Sequence, residues 1–252
     1  MILTINHGAV RELQLNRPPA NALSPELIVA LRQAVESAAQ DGARALVLSG
    51  TAGRFSAGLD IPLLLTLDHP AIATLWREFY ALLRALALSP VPIAAAIAGH
   101  ATAGGTVLPI FCDCRVAARG DWKLGLNEVQ VGLPLPPVIF TGLKRLVGAH
   151  QAERLAVGGL LISPDEAVRV GLVDEVVPLD HVVSRAIEWS RALLALPVDA
   201  MEATRRRARA DLHELFGAPF DLELDHVSAT WWSAEAQTTL RVLVDRLARK
   251  KA

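Results

Sequence analysis

Hydrophobic and polar positions alternate at the start of the chain, where "ILTI" and "VRELQL" flank residues 7–8. This alternation predicts two strands of a hairpin. Further along, apolar residues recur every three or four positions in two stretches, which predicts two amphipathic helices. They are Leu27, Leu31, Val35 and Ala38 in the first stretch, and Ile72, Leu75, Phe79, Leu82, Leu83 and Leu86 in the second. Ser24 followed by Pro25 is an N-cap signal for the first helix.

Short, mostly apolar runs predict buried strands at 44–50 ("RALVLSG") and 91–99 ("VPIAAAIAG") and a further strand at 114–118 ("CRVAA"). The segment "AGGTVLPIF" predicts the start of a helix, whereas "NRPPANALS" and "TAGRFSAGLD" are rich in turn residues and predict loops. Strands that alternate with helices imply right-handed crossovers and a layered α/β core.

The pattern is helical from Leu179 onward. We therefore expect an α/β core over residues 1–190. A helical region over 191–252 would pack on the core or on a neighbouring subunit.

Composition narrows the class of protein. The chain has 252 residues, 52% of them hydrophobic, which suits one good-sized folded domain. The 25 Lys and Arg residues nearly balance 26 Asp and Glu residues, so nothing favours nucleic acid or an acidic membrane as partner. The apolar stretch 91–112 is interrupted by prolines and glycines, which predicts a buried strand and turn and not a membrane span.

Cysteine usage points to a reducing compartment. Cys112 and Cys114 are the only cysteines, and their spacing suits neither a disulfide nor a four-ligand zinc site. The first ten residues lack the features of a secretory signal. We expect a cytoplasmic protein without a bound metal.

Two glycine-bearing loops are candidates for chemistry, "FSAGLD" (55–60) and "GHATAGG" (99–105). Each loop lies where a strand should be followed by a helix. Free N–H groups at such a helix start can point at an anion or a developing oxyanion, and glycine lets the backbone approach a ligand closely. A lone acid follows in "GLNEVQVG" (125–132).

The set "RFSAGLDI", "AIAGHATAGG", "CDCRVAA" and "LGLNEVQVGL", together with "ERLAVGGLLISPDEAVRVGLVDEVVP", resembles the crotonase superfamily of enoyl-CoA hydratases and isomerases. The resemblance covers nearly the whole chain. It implies a crotonase-like fold of repeated β-β-α units with a helical C-terminal region. It also implies a homotrimer or a hexamer, and an acyl-CoA substrate with no further cofactor.

The resemblance implies a site built from both loops. The thioester oxygen would lie between the backbone N–H groups of Leu59 and Gly104. CoA would lie along the first loop and a preceding segment, on Ala20, Ala57, Gly58, Leu59, Asp60 and Ile61.

The acidic residues decide between reactions. Hydratases of this family usually employ two glutamates, and the first of those positions is occupied here by Val107, while the second is Glu128. Moving a double bond from the 3,4 to the 2,3 position needs one base. The segment around Glu128 looks closest to Δ3,Δ2-enoyl-CoA isomerases, so Glu128 is the predicted proton shuttle.

Two alternatives stay open. One is a hydratase or another enolate-forming acyl-CoA enzyme on the same scaffold. The other is a catalytically weak acyl-CoA-binding protein.

Other polar residues are assigned to the fold. Asp60 is expected to cap a helix, His100 to be a buried, hydrogen-bonded residue, and Asp113 to be structural. Asn127 either orients Glu128 or shapes the turn.

Two further clusters each have two interpretations. "RRRAR" (205–209) is either a solvated helix face or a contact to CoA phosphates. Trp231-Trp232 either packs in the core or lines an acyl pocket or subunit contact.

Overall fold

The computed structural model describes residues 1–217 and 221–249. Strands β1 (Ile2–His7) and β2 (Val10–Leu15) form the antiparallel hairpin that the alternating pattern predicts. β2 continues in parallel with β3 (Ala45–Ser49), which connects the hairpin to the interior of the protein.

The large sheet contains six strands. They follow the order β1-β2-β3-β5-β7-β9, with β5 at Ile93–Ile97, β7 at Cys114–Ala118 and β9 at Glu175–Val177. All pairs after the hairpin are parallel. Every residue of β3, β5 and β7 is buried, which explains why these strands are mostly apolar, because both faces of a parallel sheet are covered.

Helices cover the two faces. Helix α8 (Val182–Leu194) packs on one face. On the other side α1 (Pro25–Ser37) and α3 (His69–Ala87) pack together, and both were predicted from their periodicity. Ser24 Oγ accepts a hydrogen bond from the Leu27 N–H at 3.3 Å, which confirms the N-cap.

A second, smaller sheet contains β4 (Gly53–Ser56), β6 (Gly99–Thr102) and β8 (Leu124–Gly125), all parallel and in that order. Each follows directly after a strand of the large sheet, so the chain repeats a β-β-α unit. The loop prediction for 51–60 was wrong at β4. The single strand predicted over 91–99 is divided between β5 and β6.

Shorter helices complete the core. They are α2 (Ile61–Leu64), α4 (Gly104–Ile110), α5 (Pro137–Val147), α6 (Ala149–Val157), α7 (Pro164–Arg169) and two 3-10 turns, Glu128–Val131 and Leu179–His181. Within the ranges that the structure describes, no helix has the length and apolarity that a membrane crossing requires.

The C-terminal region is helical, as predicted. It contains α9 (Val198–Ala208), α10 (Ala210–Leu215), α11 (Asp221–Trp231) and α12 (Ala234–Arg249). Residues 218–220 and 250–252, which the helical prediction also covered, lie outside the described residues. Helix α8 spans the predicted boundary at residue 190, and the division into two regions stays a prediction.

Two arginines at the C-terminal end of α9, Arg205 and Arg209, connect this region to the core. Arg205 binds both carboxylate oxygens of Asp113, at 2.8 and 2.9 Å. Arg209 is buried and donates to Asp113 at 3.1 Å and to the Phe111 carbonyl at 2.6 Å. The structural assignment of Asp113 is confirmed. Neither interpretation of "RRRAR" holds for Arg205 and Arg209, because they bind groups of the core.

Trp231 and Trp232 both pack within the fold. Trp231 is fully buried and lies edge-on to Trp76, with ring centroids 6.3 Å apart. Trp232 stacks on His69 at 3.9 Å. The core-packing interpretation therefore holds for Trp231, and the ring beside it, Trp76, lines the cavity described next.

Candidate active site

A cavity of about 1010 Å³ lies where the strands of the small sheet end. Its wall is mostly apolar, and the C-terminal helices contribute part of it. The apolar side chains include Trp76, Phe79, Val107, Val131, Leu133, Ile139, Val227, Leu243, Val244 and Leu247. The ionisable side chains are Arg17, Arg54, Asp60, Glu128 and His226.

The small sheet brings the predicted residues together. Because β4, β6 and β8 are parallel, their carboxyl ends share one edge. Leu59 follows the end of β4, Gly104 follows β6, and Glu128 follows β8, each within three residues. All three line the cavity.

The Leu59 N–H is the unused donor of its loop. Its neighbours are already engaged: Ala57 N–H donates to Ala20 O at 3.0 Å, Gly58 N–H to Ser56 Oγ at 3.1 Å, and Asp60 N–H to Leu23 O at 3.1 Å. Leu59 N–H donates to no acceptor within residues 1–217 and 221–249. The same is true of Gly104 N–H, since Gly104 is the first residue of α4 and that turn leaves its amides without partners inside the helix.

The two amides are close neighbours. Gly58 has φ +81°, and a Cβ placed on it would lie 2.9 Å from the Gly104 nitrogen. A Cβ on Gly104 would lie 3.5 Å from the Leu59 nitrogen. Ala103 has φ +49° and ψ −124°, which is unusual for a residue with a side chain and sets the direction of the next amide. Such strained backbone is concentrated at functional sites.

Asn21 braces the first loop, and the sequence analysis missed it. Its side chain is buried and donates to the carbonyls of Arg54 and Phe55, at 3.2 and 3.1 Å. Ser56 Oγ donates to the Asn21 carbonyl at 2.8 Å. The segment was interpreted only as a loop because nothing local indicates that Asn21 reaches residues more than thirty positions away.

Thr106 connects the second loop to the segment that carries Glu128. Its hydroxyl donates to the Ala101 carbonyl at 2.6 Å and accepts from the Gly125 N–H at 2.9 Å. The start of α4 and the end of β8 are therefore held at a fixed separation.

Glu128 begins a 3-10 turn and faces the cavity. Its Oε2 is buried and has no hydrogen-bond partner in the described part of the chain. Desolvation by burial raises the pKa of Glu128 to about 7, against a smaller opposing effect of a backbone hydrogen bond. A carboxyl group with this pKa can both take and return a proton near neutral pH.

Asn127 is next to Glu128 in the cavity wall, but their side chains share no hydrogen bond. The Asn127 Oδ1 is buried without a partner among the described residues, while its backbone carbonyl accepts from Gln130 N–H at 3.0 Å. Asn127 therefore shapes the 3-10 turn through its main chain.

Asp60 has two partners. Its Oδ1 accepts from Leu63 N–H at 3.3 Å, which confirms that it caps α2, and its Oδ2 pairs with Arg17 at 2.6 Å. Of the predicted CoA contacts, all except Gly58 are in the cavity wall; they are Ala20, Ala57, Leu59, Asp60 and Ile61.

His100 is hydrogen-bonded but half-buried, where we expected it to be buried. Its Nδ1 accepts from Lys123 N–H at 3.1 Å, and its ring lies edge-on to Trp122. It is not part of the cavity wall.

The last features to consider are possible metal ligands and the two cysteines, among residues 1–217 and 221–249. Within these ranges, no three His, Cys, Asp or Glu side chains are grouped so that they could hold a metal ion. Cys112 and Cys114 are both buried free thiols.

The fold and the cavity define an acyl-CoA enzyme of the crotonase type, and the chain belongs to the enoyl-CoA hydratase/isomerase family, whose model matches residues 6–249. The resemblance noted in the sequence is thereby confirmed. The crotonase-like fold is confirmed as well. The crystal structure of human mitochondrial delta3-delta2-enoyl-CoA isomerase superposes with a TM-score of 0.94 at 29% identity, covering 100% of this chain and 99% of that one.

Similar proteins include some named isomerases and some named hydratases. Enoyl-CoA delta isomerase 1, mitochondrial, from Homo sapiens is 30% identical over 97% of this chain and 82% of its own length. A probable enoyl-CoA hydratase, echA17, from Mycobacterium avium is 34% identical over 82% of this chain and 79% of its own length.

Proposed function

We propose that this protein is a Δ3,Δ2-enoyl-CoA isomerase. The observation that carries the proposal is the Glu128 carboxyl group, whose Oε2 has no partner among the described residues, in the wall of the same cavity as two free main-chain donors, Leu59 N–H and Gly104 N–H. One base and one oxyanion site are what a double-bond shift requires.

In the proposed reaction, the thioester oxygen of a 3-enoyl-CoA accepts hydrogen bonds from the two amides. The Glu128 carboxylate removes a proton from C2, and the electron pair moves into a dienolate whose negative charge is on that oxygen. Glu128 then returns the proton to C4, and the double bond is left between C2 and C3. No atom is gained or lost.

In this reaction, hydrogen bonds from the Leu59 and Gly104 amides provide much of the acceleration of proton removal. A proton next to a thioester is weakly acidic, so a carboxylate can remove it only if the enolate is stabilised. Preorganised donors in a dry site do this, and each is worth roughly 3–4 kcal/mol in the transition state. The raised pKa of Glu128 makes it a stronger base than an exposed glutamate.

Hydration is the second candidate because a relative is named a probable hydratase. Addition of water requires a group that activates the water and a group that supplies a proton to C2. Val107 stands in the cavity wall where the resemblance implies the other glutamate. The second carboxylate of the cavity wall, Asp60, is paired with Arg17 and caps α2. These contacts favour the isomerase.

The test is to offer the purified protein a 3-enoyl-CoA and a 2-enoyl-CoA in separate assays. We expect conjugated 2-enoyl-CoA to form from the first, detected by its ultraviolet absorbance. We expect little 3-hydroxyacyl-CoA from the second. Hydration of the second substrate at an equal or faster rate would exclude this assignment.

A third class of function, binding of acyl-CoA without turnover, is tested in the same assay. It predicts affinity for CoA and no conversion of either substrate. A homotrimer or hexamer, a cytoplasmic location and the absence of a cofactor beyond the CoA thioester remain part of the proposal. Sedimentation analysis of the purified protein would test the oligomeric state.

A further inference from the structure

The cavity wall has a polar part and an apolar part. Arg54 and Asp60 belong to β4 and the loop after it, and Arg17 pairs with Asp60. Helix α3 instead contributes two aromatic side chains, Trp76 and Phe79. Since the proposed reaction places the thioester carrier along the first loop, the acyl chain is left with the apolar part of the wall.

The apolar residues of the wall differ in how firmly the protein encloses them. On α12, Leu243 and Val244 are half-buried and Leu247 is 41% exposed. On α3, Trp76 is only 5% exposed and Phe79 only 2%. A side chain enclosed in a close-packed interior cannot move aside for a ligand without disturbing its neighbours. The α3 part of the wall is therefore the rigid one.

Trp76 is held between two other aromatic rings. Its ring lies edge-on to Phe79, with centroids 6.2 Å apart, and edge-on to Trp231, with centroids 6.3 Å apart. Edge-on contacts at such distances are favourable for aromatic pairs. Trp231 is fully buried and is not part of the cavity wall, so it supports Trp76 from the core side. Trp76 is thus the layer between the cavity and the core.

A rigid ring in this position limits the length of the acyl chain. Each methylene group that an apolar wall buries raises kcat/KM about fourfold, as long as there is room for it. Once the end of the chain meets the Trp76 indole, a further methylene group must displace a packed ring, and overpacking of this kind is unfavourable.

We propose that Trp76 is the residue that determines the acyl-chain selectivity of this enzyme, because it closes the apolar part of the cavity. Apolar acyl chains are accepted up to the length at which their end meets the indole, and longer ones are rejected. The inference rests on the proposed function for its substrate.

The experiment measures kcat/KM for a series of unbranched thioesters, from 3-hexenoyl-CoA to 3-hexadecenoyl-CoA in steps of two carbons. In the wild type we expect kcat/KM to rise with chain length and then to fall abruptly. In Trp76→Leu the fall should move to a longer chain. For the first thioester beyond the wild-type limit, kcat/KM should increase about tenfold. Its value for 3-hexenoyl-CoA should change less than about twofold.

Two further variants accompany Trp76→Leu. Trp76→Phe keeps an aromatic ring and removes less volume, so it should shift the limit in the same direction by a smaller amount, and it decides the question if Trp76→Leu does not fold. Leu83→Ala is the matched control, because Leu83 is a fully buried residue of the same helix outside the cavity wall. Leu83→Ala should lower the unfolding temperature and leave the length limit unchanged.

Three results would overturn the proposal: a wild type with no length limit in this series, an unchanged limit in the folded Trp76 variants, or an equal shift in Leu83→Ala. Calorimetric titration with saturated acyl-CoA of the same lengths separates the proposal from the isomerase assignment. If no thioester is isomerised but the length limit for binding still moves in Trp76→Leu, the proposed reaction is wrong and the role of Trp76 stands.

Discussion

Glu128 acquires its chemistry from its surroundings. The carboxyl group of an exposed glutamate would be fully ionised at neutral pH and a weak base. Here the cavity wall removes water from one carboxylate oxygen and offers it no hydrogen-bond donor in the described chain. The resulting pKa of about 7 makes the site responsive to pH over the physiological range.

The first prediction concerns pH. Because the proposed reaction requires ionised Glu128 in the free enzyme, kcat/KM should rise about tenfold per pH unit below pH 7 and reach a plateau above about pH 8. A steady-state profile from pH 5 to 9 measures this. A flat profile would exclude Glu128 as the base.

The second prediction concerns activity and stability together. Glu128→Gln should abolish isomerisation. It should also stabilise the fold at pH 8 by up to about 3 kcal/mol, because the folded state raises the pKa of Glu128 and so penalises its ionised form. The penalty is absent below the unfolded pKa and grows as pH rises toward about 7, so the two proteins should unfold alike at pH 4.

Denaturant unfolding at both pH values provides the readout for this substitution. Glu153→Gln is the control, since Glu153 is exposed on α6. Undiminished turnover in Glu128→Gln would remove Glu128 from the mechanism. A destabilised variant at pH 8 would contradict the burial argument.

At the scale of elements, the small sheet determines the site. Its three strands have only two to four residues each, yet their common edge brings together segments up to 69 positions apart, from Leu59 to Glu128. The close contact between Gly58 and the start of α4 holds the two amides side by side.

The third prediction tests that contact. Gly58→Ala should lower kcat by about a hundredfold or more, because the new Cβ would lie 2.9 Å from the Gly104 nitrogen and displace a donor. Gly8→Ala is the matched control: Gly8 has a similar φ of +76° but open space around it. Both should lose about 1–2 kcal/mol of stability from backbone strain, and Gly58→Ala should lose more because its Cβ also meets backbone atoms at 2.9 Å.

Kinetics and thermal unfolding of the two alanine variants distinguish the effect of backbone strain on stability from the effect of a displaced N–H donor on kcat. Full activity in Gly58→Ala, or an equal loss in Gly8→Ala, would contradict the role of this contact.

Periodicity predicted the helices and the central strands because each buries a long, regular apolar face. It missed the second sheet, whose strands are short and contain glycine and polar residues. The motifs indicated Leu59, Gly104 and Glu128. Asn21 was not found, since its role depends on contacts that only the folded chain defines.

At the scale of the whole molecule, the C-terminal helices complete the cavity of their own chain. Leu243, Val244 and Leu247 of α12 are in its wall, and Ala236 of the same helix lies against Gly132 at the end of the Glu128 turn. Arg205 and Arg209 hold the preceding helix to Asp113.

The fourth prediction concerns that anchor. Arg209→Ala should destabilise the protein by about 3–5 kcal/mol, because it removes a buried cation from the carbonyls and the carboxylate that it binds. Arg206→Ala, an exposed neighbour, should change stability by no more than about 0.5 kcal/mol. Chemical unfolding measures both.

KM for acyl-CoA decides whether these arginines also contact the substrate. We expect it to be unchanged in Arg206→Ala and in the folded fraction of Arg209→Ala. A large rise in KM in either variant, with normal stability, would support the interpretation that "RRRAR" contacts the phosphates of CoA.

The apolar wall on α12 and the reactive edge of the small sheet come from different parts of the chain. A mutant library restricted to Leu243, Val244 and Leu247 would therefore sample new pocket shapes while the proposed proton shuttle, Glu128, stays unchanged. Selectivity for the acyl group can be engineered, or can drift over generations, separately from catalytic power.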